Sequence, residues 1–288
     1  MSRSLENGQS IGIVIPVYNG ESFIGEAIDS VLNQDSAPNT FCVFDNKSTD
    51  ATAEILRSYQ ERFGISVITA TEHFPRMVDS WNFAVNQVDT TWFHLMSADD
   101  LLKSSFVREF RKHLNEEYAA ISMLSEEIDE LGEVTLAKFS LGNARVIQGS
   151  NLVLANLFTS SINVASVLVK KSAWTEVGGY PSEYSYWHDM VFWQRIASFG
   201  GVRKVNQVVA RYRVDRGKQK TTLRANGIDR DRQLYLSSEL PRLESMWGLE
   251  LRSPQGQGFS SKASWKRTIV LNLSGIKKFL YKVGWIKW

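Results

Sequence analysis

The first hundred residues switch repeatedly between two hydrophobic periods, and this alternation limits the possible folds more than any other feature. IGIVIPV (11–17) is a short β-branched run ended by the turn Asn19-Gly20, after which Ile24, Ala27, Ile28, Val31 and Leu32 recur at helical spacing. FCVFD (41–45) reads as a second strand. NKSTD follows it and offers Ser48, Thr49 or Asp50 as the cap of a helix from Ala51 to Phe63. ISVIT (65–69) reads as a third strand, Met77 to Val88 as a third helix, and WFHLM (92–96) as a fourth strand that runs into Asp99-Asp100. Strands alternating with helices across short turns predict an open, mainly parallel sheet covered on both faces. Such sheets bind ligands outside the carboxyl ends of their strands. Tyr18-Asn19, Asp45-Asn46 and Asp99-Asp100 all follow strand ends and should therefore converge on one crevice.

Further along, the pattern predicts a helix near 103–115, strands near 119–124 and 164–169, and a helix within 185–200. Two short strands are expected across 202–214 and a charged surface helix from Asn226 to Trp247. Val146 to Val169 is uncharged and long enough for a bilayer. Gln148, Asn151, Asn156, Thr159 and Asn163 make it too polar for hydrocarbon, so it reads as a helix followed by a buried strand. MSRSLENGQS has no apolar run, and no secretory leader is expected. The single cysteine, Cys42, excludes an internal disulfide and a cysteine zinc cluster. Charge is uneven along the chain. Eight basic residues and no acidic one follow Glu250, leaving residues 1–250 with a net charge of −6. An acidic body with a basic tail points to an anionic surface as the tail's partner.

Two adjacent carboxylates at the end of a buried strand repel each other, and a divalent cation would offset that repulsion. The alternative is a solvated turn with Asp100 as a helix cap. Asp45 likewise either accepts hydrogen bonds from a base or ribose, or makes a turn together with Asp50. We assign Asp45 to ligand binding and Asp50 to structure.

The ordered set IVIPVYNGESFIGEAIDSVLNQ, VFDNKSTDATAEIL, SWNFAVNQ and LMSADDLL resembles the inverting family 2 glycosyltransferases of GT-A fold. VGGYPSEY (177–184), YWHDMVFWQRIASFG (186–200) and YRVDRGKQKT (212–221) extend the resemblance over about residues 10 to 221. It implies a Rossmann-like, mainly parallel open sheet flanked by helices. The catalytic domain would span 1–221, with a nucleotide half (10–102) and an acceptor half (103–221), followed by a basic helical extension (222–288). Pro16, Val17, Tyr18 and Asn19 would line the nucleotide pocket and Asp45 would bind the base. Asp99 and Asp100 would hold the ribose and a Mn2+ or Mg2+ ion on the donor diphosphate, with Arg213 steadying the phosphates. Asp189 would be the general base. The donor would be a nucleotide sugar, UDP by default, and the acceptor a hydroxyl of a glycan or lipid-linked glycan in bacterial surface polysaccharide synthesis. Three positions depart from the pattern: Ser97 in place of a first aspartate, His188 in place of a glutamate, and Asp215 in place of a histidine. Two other readings remain. A catalytically degenerate nucleotide-sugar-binding protein is one. The other, a sugar nucleotidyltransferase, wants a glycine-rich basic loop that PVYNGES does not supply.

In the tail, Ile276, Phe279, Leu280, Val283 and Ile286 share one face of a helix, with lysines largely elsewhere and tryptophans at 265, 285 and 288. That arrangement predicts peripheral contact of 262–288 with the inner face of the cell membrane from a cytoplasmic enzyme. The alternative is a helix packed on the catalytic domain. No nucleic-acid partner is expected, since no recognition fold accompanies the charge.

Overall fold

The computed structural model describes residues 9–137, 145–157, 160–214 and 219–248, with three strand segments at 251–252, 269–271 and 279–281. The chain divides into two compact units, 1–228 and 229–288, a little past the boundary expected at 221/222.

The first unit is built on one large sheet. β1 (Ile11–Val17), β2 (Thr40–Asp45), β3 (Ser66–Thr69) and β4 (Trp92–Leu95) pair in parallel in the order β3-β2-β1-β4. Helices α1 (Ile24–Leu32), α2 (Thr52–Phe63) and α3 (Met77–Asn86) return the chain between them. All seven residues of β1 are buried. A central strand covered on both faces needs no polar alternation, which is why IGIVIPV is apolar throughout. α1 turns Ile24, Ala27, Ile28 and Val31 into the same core.

Beyond β4 the sheet continues through an antiparallel strand, β9 (Val167–Lys170), to β6 (Tyr118–Ile128) and β10 (Gly201–Arg213), which are parallel to each other, and ends at β5 (Leu101–Leu102). β7 (Val134–Ala137) adds to β6 and β8 (Arg145–Ile147) to β10. α4 (Phe106–Arg111), α5 (Gly149–Ala155), α6 (Lys171–Glu176) and α7 (His188–Arg195) lie between these strands in the chain. The mainly parallel order of the first four strands matches the alternation of periods.

One difference lies in β10. Residues 202–214 read as two short strands, but 202–213 lie within one strand of 13 residues. Its pairing with β6 shifts register between Lys204 and Val208 and again before Ala210, so irregularities in the ladder absorb the polar interruption.

His94 sits where the parallel half meets β9. It is fully buried, its ring lies 4.6 Å from that of Phe106, and its Nδ1–H donates to the Val167 carbonyl at 2.9 Å. Burial lowers its pKa to about 4.

In the second unit, helix α8 (Gln219–Leu234), which begins before Asp229, passes through a π-helical turn (Tyr235–Glu239) into α9 (Leu240–Trp247). β11 (Leu251–Arg252), β12 (Ile269–Leu271) and β13 (Phe279–Tyr281) make a small antiparallel sheet. This corrects part of the expected tail helix. Phe279 and Leu280 stand in strand β13 and not in a helix. The FLY and IVL triplets are aromatic and β-branched, and pairing between them prevails over helical spacing. Ile276, Val283, Ile286 and Asp215 lie outside the described residues. Among the described residues no helix is long and apolar enough to cross a membrane.

Candidate active site

The site begins at the carboxyl end of β1, and a proline shows where the sheet opens. Val14 gives the last carbonyl on the β4 side, accepting from Met96 N–H at 2.9 Å. The nitrogen of Pro16, two residues on, points to the same side where β4 no longer pairs, so its missing N–H leaves no gap in the ladder. Pro16 and Val17 are buried within β1, with Val17 in register with Asp45, while Tyr18 emerges at 47% exposure.

Asp45 is buried at the end of β2. Its Oδ1 accepts the Ser48 amide at 3.0 Å and the Ser48 hydroxyl at 2.6 Å, and among the described residues Oδ2 takes no hydrogen bond. Asn19 and Lys47 both adopt left-handed backbone, at φ 51° and 63°. Asn19 is held there because its N–H donates to Ser48 Oγ at 3.0 Å and its Oδ1 accepts the Thr49 N–H at 2.8 Å. Asp50 is structural, as expected: it accepts the Glu21 N–H at 3.1 Å and the Thr52 N–H at 3.0 Å, serving the start of α2.

Sequence reasoning assigned no role to His73. Its ring lies 4.3 Å from that of Tyr18, and its Nδ1–H donates to the Asn46 carbonyl at 3.1 Å. The Asn46 side chain imitates a peptide toward Phe74, donating to its carbonyl at 3.0 Å and accepting its N–H at 2.8 Å. The loop 72–76 is therefore pinned beside Asp45. Arg76 on that loop is exposed, pairs with Asp79 at 2.6 Å and donates to the Ser182 carbonyl at 3.1 Å.

The aspartate pair follows β4. Asp100 is 1% exposed; its Oδ1 accepts the Arg213 N–H at 2.9 Å and its buried Oδ2 has no partner among the described residues. Burial, and then the charge of Asp99, hold this carboxyl well above the usual carboxylate range against the pull of the Arg213 N–H and the Ser97 side chain. An orphaned carboxylate oxygen beside a second carboxylate fits a divalent cation. Mg2+-type sites use one or two carboxylates and complete their shell with water and phosphate oxygens. Among the described residues no group of three or more His, Cys, Asp or Glu side chains is placed to hold a metal ion.

Arg213 corrects an expectation. Its side chain is buried and four of its five N–H donors are spent on the protein: Nε on the Asp99 carbonyl, Nη1 on the Asp129 and Glu130 carbonyls, Nη2 on Glu26. A guanidinium enclosed in this way supports the aspartate loop and is not presented to a phosphate. Its neighbour Tyr212 has its phenol pushed up to about 12 by burial and by the charges of Asp100 and Asp99.

Asp189 lies in the first turn of α7, half-buried, with Oδ1 accepting the Met190 N–H at 2.6 Å. Burial, and then the Asp189 charge, push the Tyr180 phenol up, and its Oη is buried without a partner among the described residues. Tyr180 is fixed by Asn82 of α3, whose Oδ1 accepts the Tyr180 N–H and whose Nδ2 donates to the Tyr180 carbonyl, both at 2.8 Å. Gly179 allows this approach, since its φ is +82° and a Cβ there would stand 2.8 Å from Asn82 Oδ1. Trp81 meets Tyr180 and His188 edge-on at 5.8 and 5.0 Å. SWNFAVNQ thus carries two site-building residues, Trp81 and Asn82, whose roles depend on partners about a hundred positions away.

A mainly parallel sheet with acidic residues gathered at its carboxyl edge is the GT-A architecture of nucleotide-sugar-dependent glycosyltransferases. Residues 12–149 match the model of glycosyl transferase family 2. An uncharacterised glycosyltransferase of Haemophilus influenzae is 21% identical over 216 residues, covering 73% of this chain and 67% of that protein. The structure of Staphylococcus aureus TarS 1-349 with UDP-GlcNAc superposes with a TM-score of 0.60 at 16% identity, covering 74% of this chain and 61% of the other. The Pyrobaculum calidifontis mannosyltransferase PcManGT, solved with GDP-Man and Mn2+, gives 0.59 at 18% identity, covering 81% and 66%. The chain thus spans less than two thirds of these two solved proteins, and at such identity the likeness shows the fold.

Proposed function

We propose that this glycosyltransferase inverts the anomeric centre while moving a sugar from a nucleoside diphosphate, UDP by default, to a hydroxyl of a glycan or lipid-linked glycan. The observation that carries this reading is the buried, unpartnered Oδ2 of Asp100 beside Asp99, at the same sheet edge as Asp45. Tyr18 and His73 offer an aromatic wall to the base and Asp45 Oδ2 an acceptor for its N–H groups. Asp99 and Asp100 would hold Mn2+ or Mg2+. When bound, the ion supplies Lewis-acid stabilisation of the leaving nucleoside diphosphate. Asp189 takes the proton of the acceptor hydroxyl, so that one displacement inverts the centre. TarS is named a poly(ribitol-phosphate) β-N-acetylglucosaminyltransferase, which supports a surface polymer as the acceptor here. The basic stretch 262–288 would bring the catalytic domain to an anionic membrane face.

Asp189→Asn tests the reading. Transfer should fall by about 10²–10⁴-fold, the usual worth of a general base, while calorimetric affinity for UDP with Mn2+ stays unchanged. Full activity in that variant would sink the base assignment, and absence of any nucleotide binding in the wild type would sink the donor site.

A further inference from the structure

The contacts of Arg213 define a role that neither the resemblance nor the relatives assign to it. From the last position of β10, its backbone N–H meets Asp100 Oδ1 at 2.9 Å and its Nε meets the Asp99 carbonyl at 2.9 Å. Nη1 reaches across to the turn after β6, donating to the Asp129 carbonyl at 3.0 Å and the Glu130 carbonyl at 2.9 Å. Nη2 meets Glu26 Oε2 on α1 at 2.7 Å, and the guanidinium lies 4.5 Å from the ring centroid of Phe23. One planar fork therefore ties α1 and the turn after β6 to the Asp99 carbonyl, while the Arg213 backbone N–H, outside that fork, meets Asp100. The arginine side chain is 2% exposed, whereas that of Glu26 is 59% exposed, so the anchor of this buried cation lies at the surface.

We propose that Arg213, braced by Glu26 and Phe23, is a positioning residue that fixes Asp99 and Asp100 in the arrangement that receives a divalent cation. This inference rests on the donor site proposed above. Two adjacent carboxylates repel, and without a restraint the strand-end loop would relax by turning them apart. Arg213 opposes that relaxation through the backbone of Asp99 and one oxygen of Asp100, leaving Asp100 Oδ2 for the ion. Lysine cannot replace it, because a single ammonium on a flexible stem cannot address three carbonyls and a carboxylate in one plane. Residues that orient metal ligands from behind are typically worth 10- to 100-fold in metal affinity.

The experiment is calorimetric titration of UDP and GDP into wild type, Arg213→Lys and Glu26→Ala, each with Mn2+ and with EDTA, alongside thermal melting. The gain in nucleotide affinity from Mn2+ should shrink about 10- to 100-fold in Arg213→Lys and about 10-fold in Glu26→Ala, with metal-free affinity unchanged in both. Glu26 is an exposed helix residue, so its variant should fold even if Arg213→Lys does not. Affinity that falls equally with and without Mn2+ would make Arg213 a phosphate ligand and overturn the inference. A lower melting temperature with the full Mn2+ gain retained would also overturn it. Wild type that gains nothing from Mn2+ would sink the donor-site reading together with the inference.

Discussion

The two halves of the sheet build their parts of the site by different means. In β1 to β4, the functional residues are the ones next in the chain: Tyr18 and Asn19 after β1, Asp45 at the end of β2, Asp99 and Asp100 after β4. Asp45 is fixed by a short-range bond from Ser48 three residues away, whereas Asp99 and Asp100 are held by Arg213, more than a hundred positions on. In the acceptor half, side chains are set by residues distant in sequence. Asn82 holds Tyr180, Arg213 holds the aspartate loop, and Trp81 meets His188. A local turn can therefore specify the Asp45 end of the site, whereas the aspartate pair and the acceptor end depend on a completed sheet.

The junction between the halves offers the largest way to break this division. His94 is neutral and buried where β4 meets β9, with a pKa near 4 against 6.5 unfolded. The unfolded chain therefore binds the proton first, and stability is lost as pH falls from 6.5 toward 4. The drop amounts to about 3 kcal/mol. Urea denaturation across that window should show this extra loss in wild type and not in His94→Gln; equal acid sensitivity would remove His94 from the account.

Asp45→Ala probes the locally built end. Loss of a hydrogen bond to a charged group costs about 1.5–3 kcal/mol, so UDP affinity should weaken by about 10- to 100-fold, with a lower melting temperature from the Ser48 bonds given up. Asn82→Ala probes the distant clamp with a smaller expected effect, about 1–2 kcal/mol in stability. It should also lower turnover while leaving UDP affinity intact. If Asn82→Ala weakened UDP binding as much as Asp45→Ala, the separation of the two halves would fail.

Much of the first half was legible because strand and helix periods are local properties, and the rule that ligands sit beyond strand ends needs only chain order. Asp50 as a turn residue and the parallel pairing of the first four strands follow from that reading. The rest was not legible for equally physical reasons. Arg213 occupies a position where a phosphate ligand was expected, and only its burial among Asp99, Asp129, Glu130 and Glu26 shows where its donors go. His73 carries no local signal, because its ring matters only once Asn46 has folded the loop back onto Tyr18. The continuity of β10 across Asn206-Gln207 was hidden because a polar pair reads the same as a turn or as a break absorbed by the ladder.

Sequence by itself determined the alternating architecture, the strand-end acids and the family pattern, since each depends on residues close together in the chain. Tertiary structure alone decided which of those acids are braced, which arginine is spent on the protein, and which tyrosine faces Asp189. These outcomes depend on hydrogen bonds that close only when distant strands come into register, and a buried donor takes whichever acceptor the finished fold brings within about 3 Å.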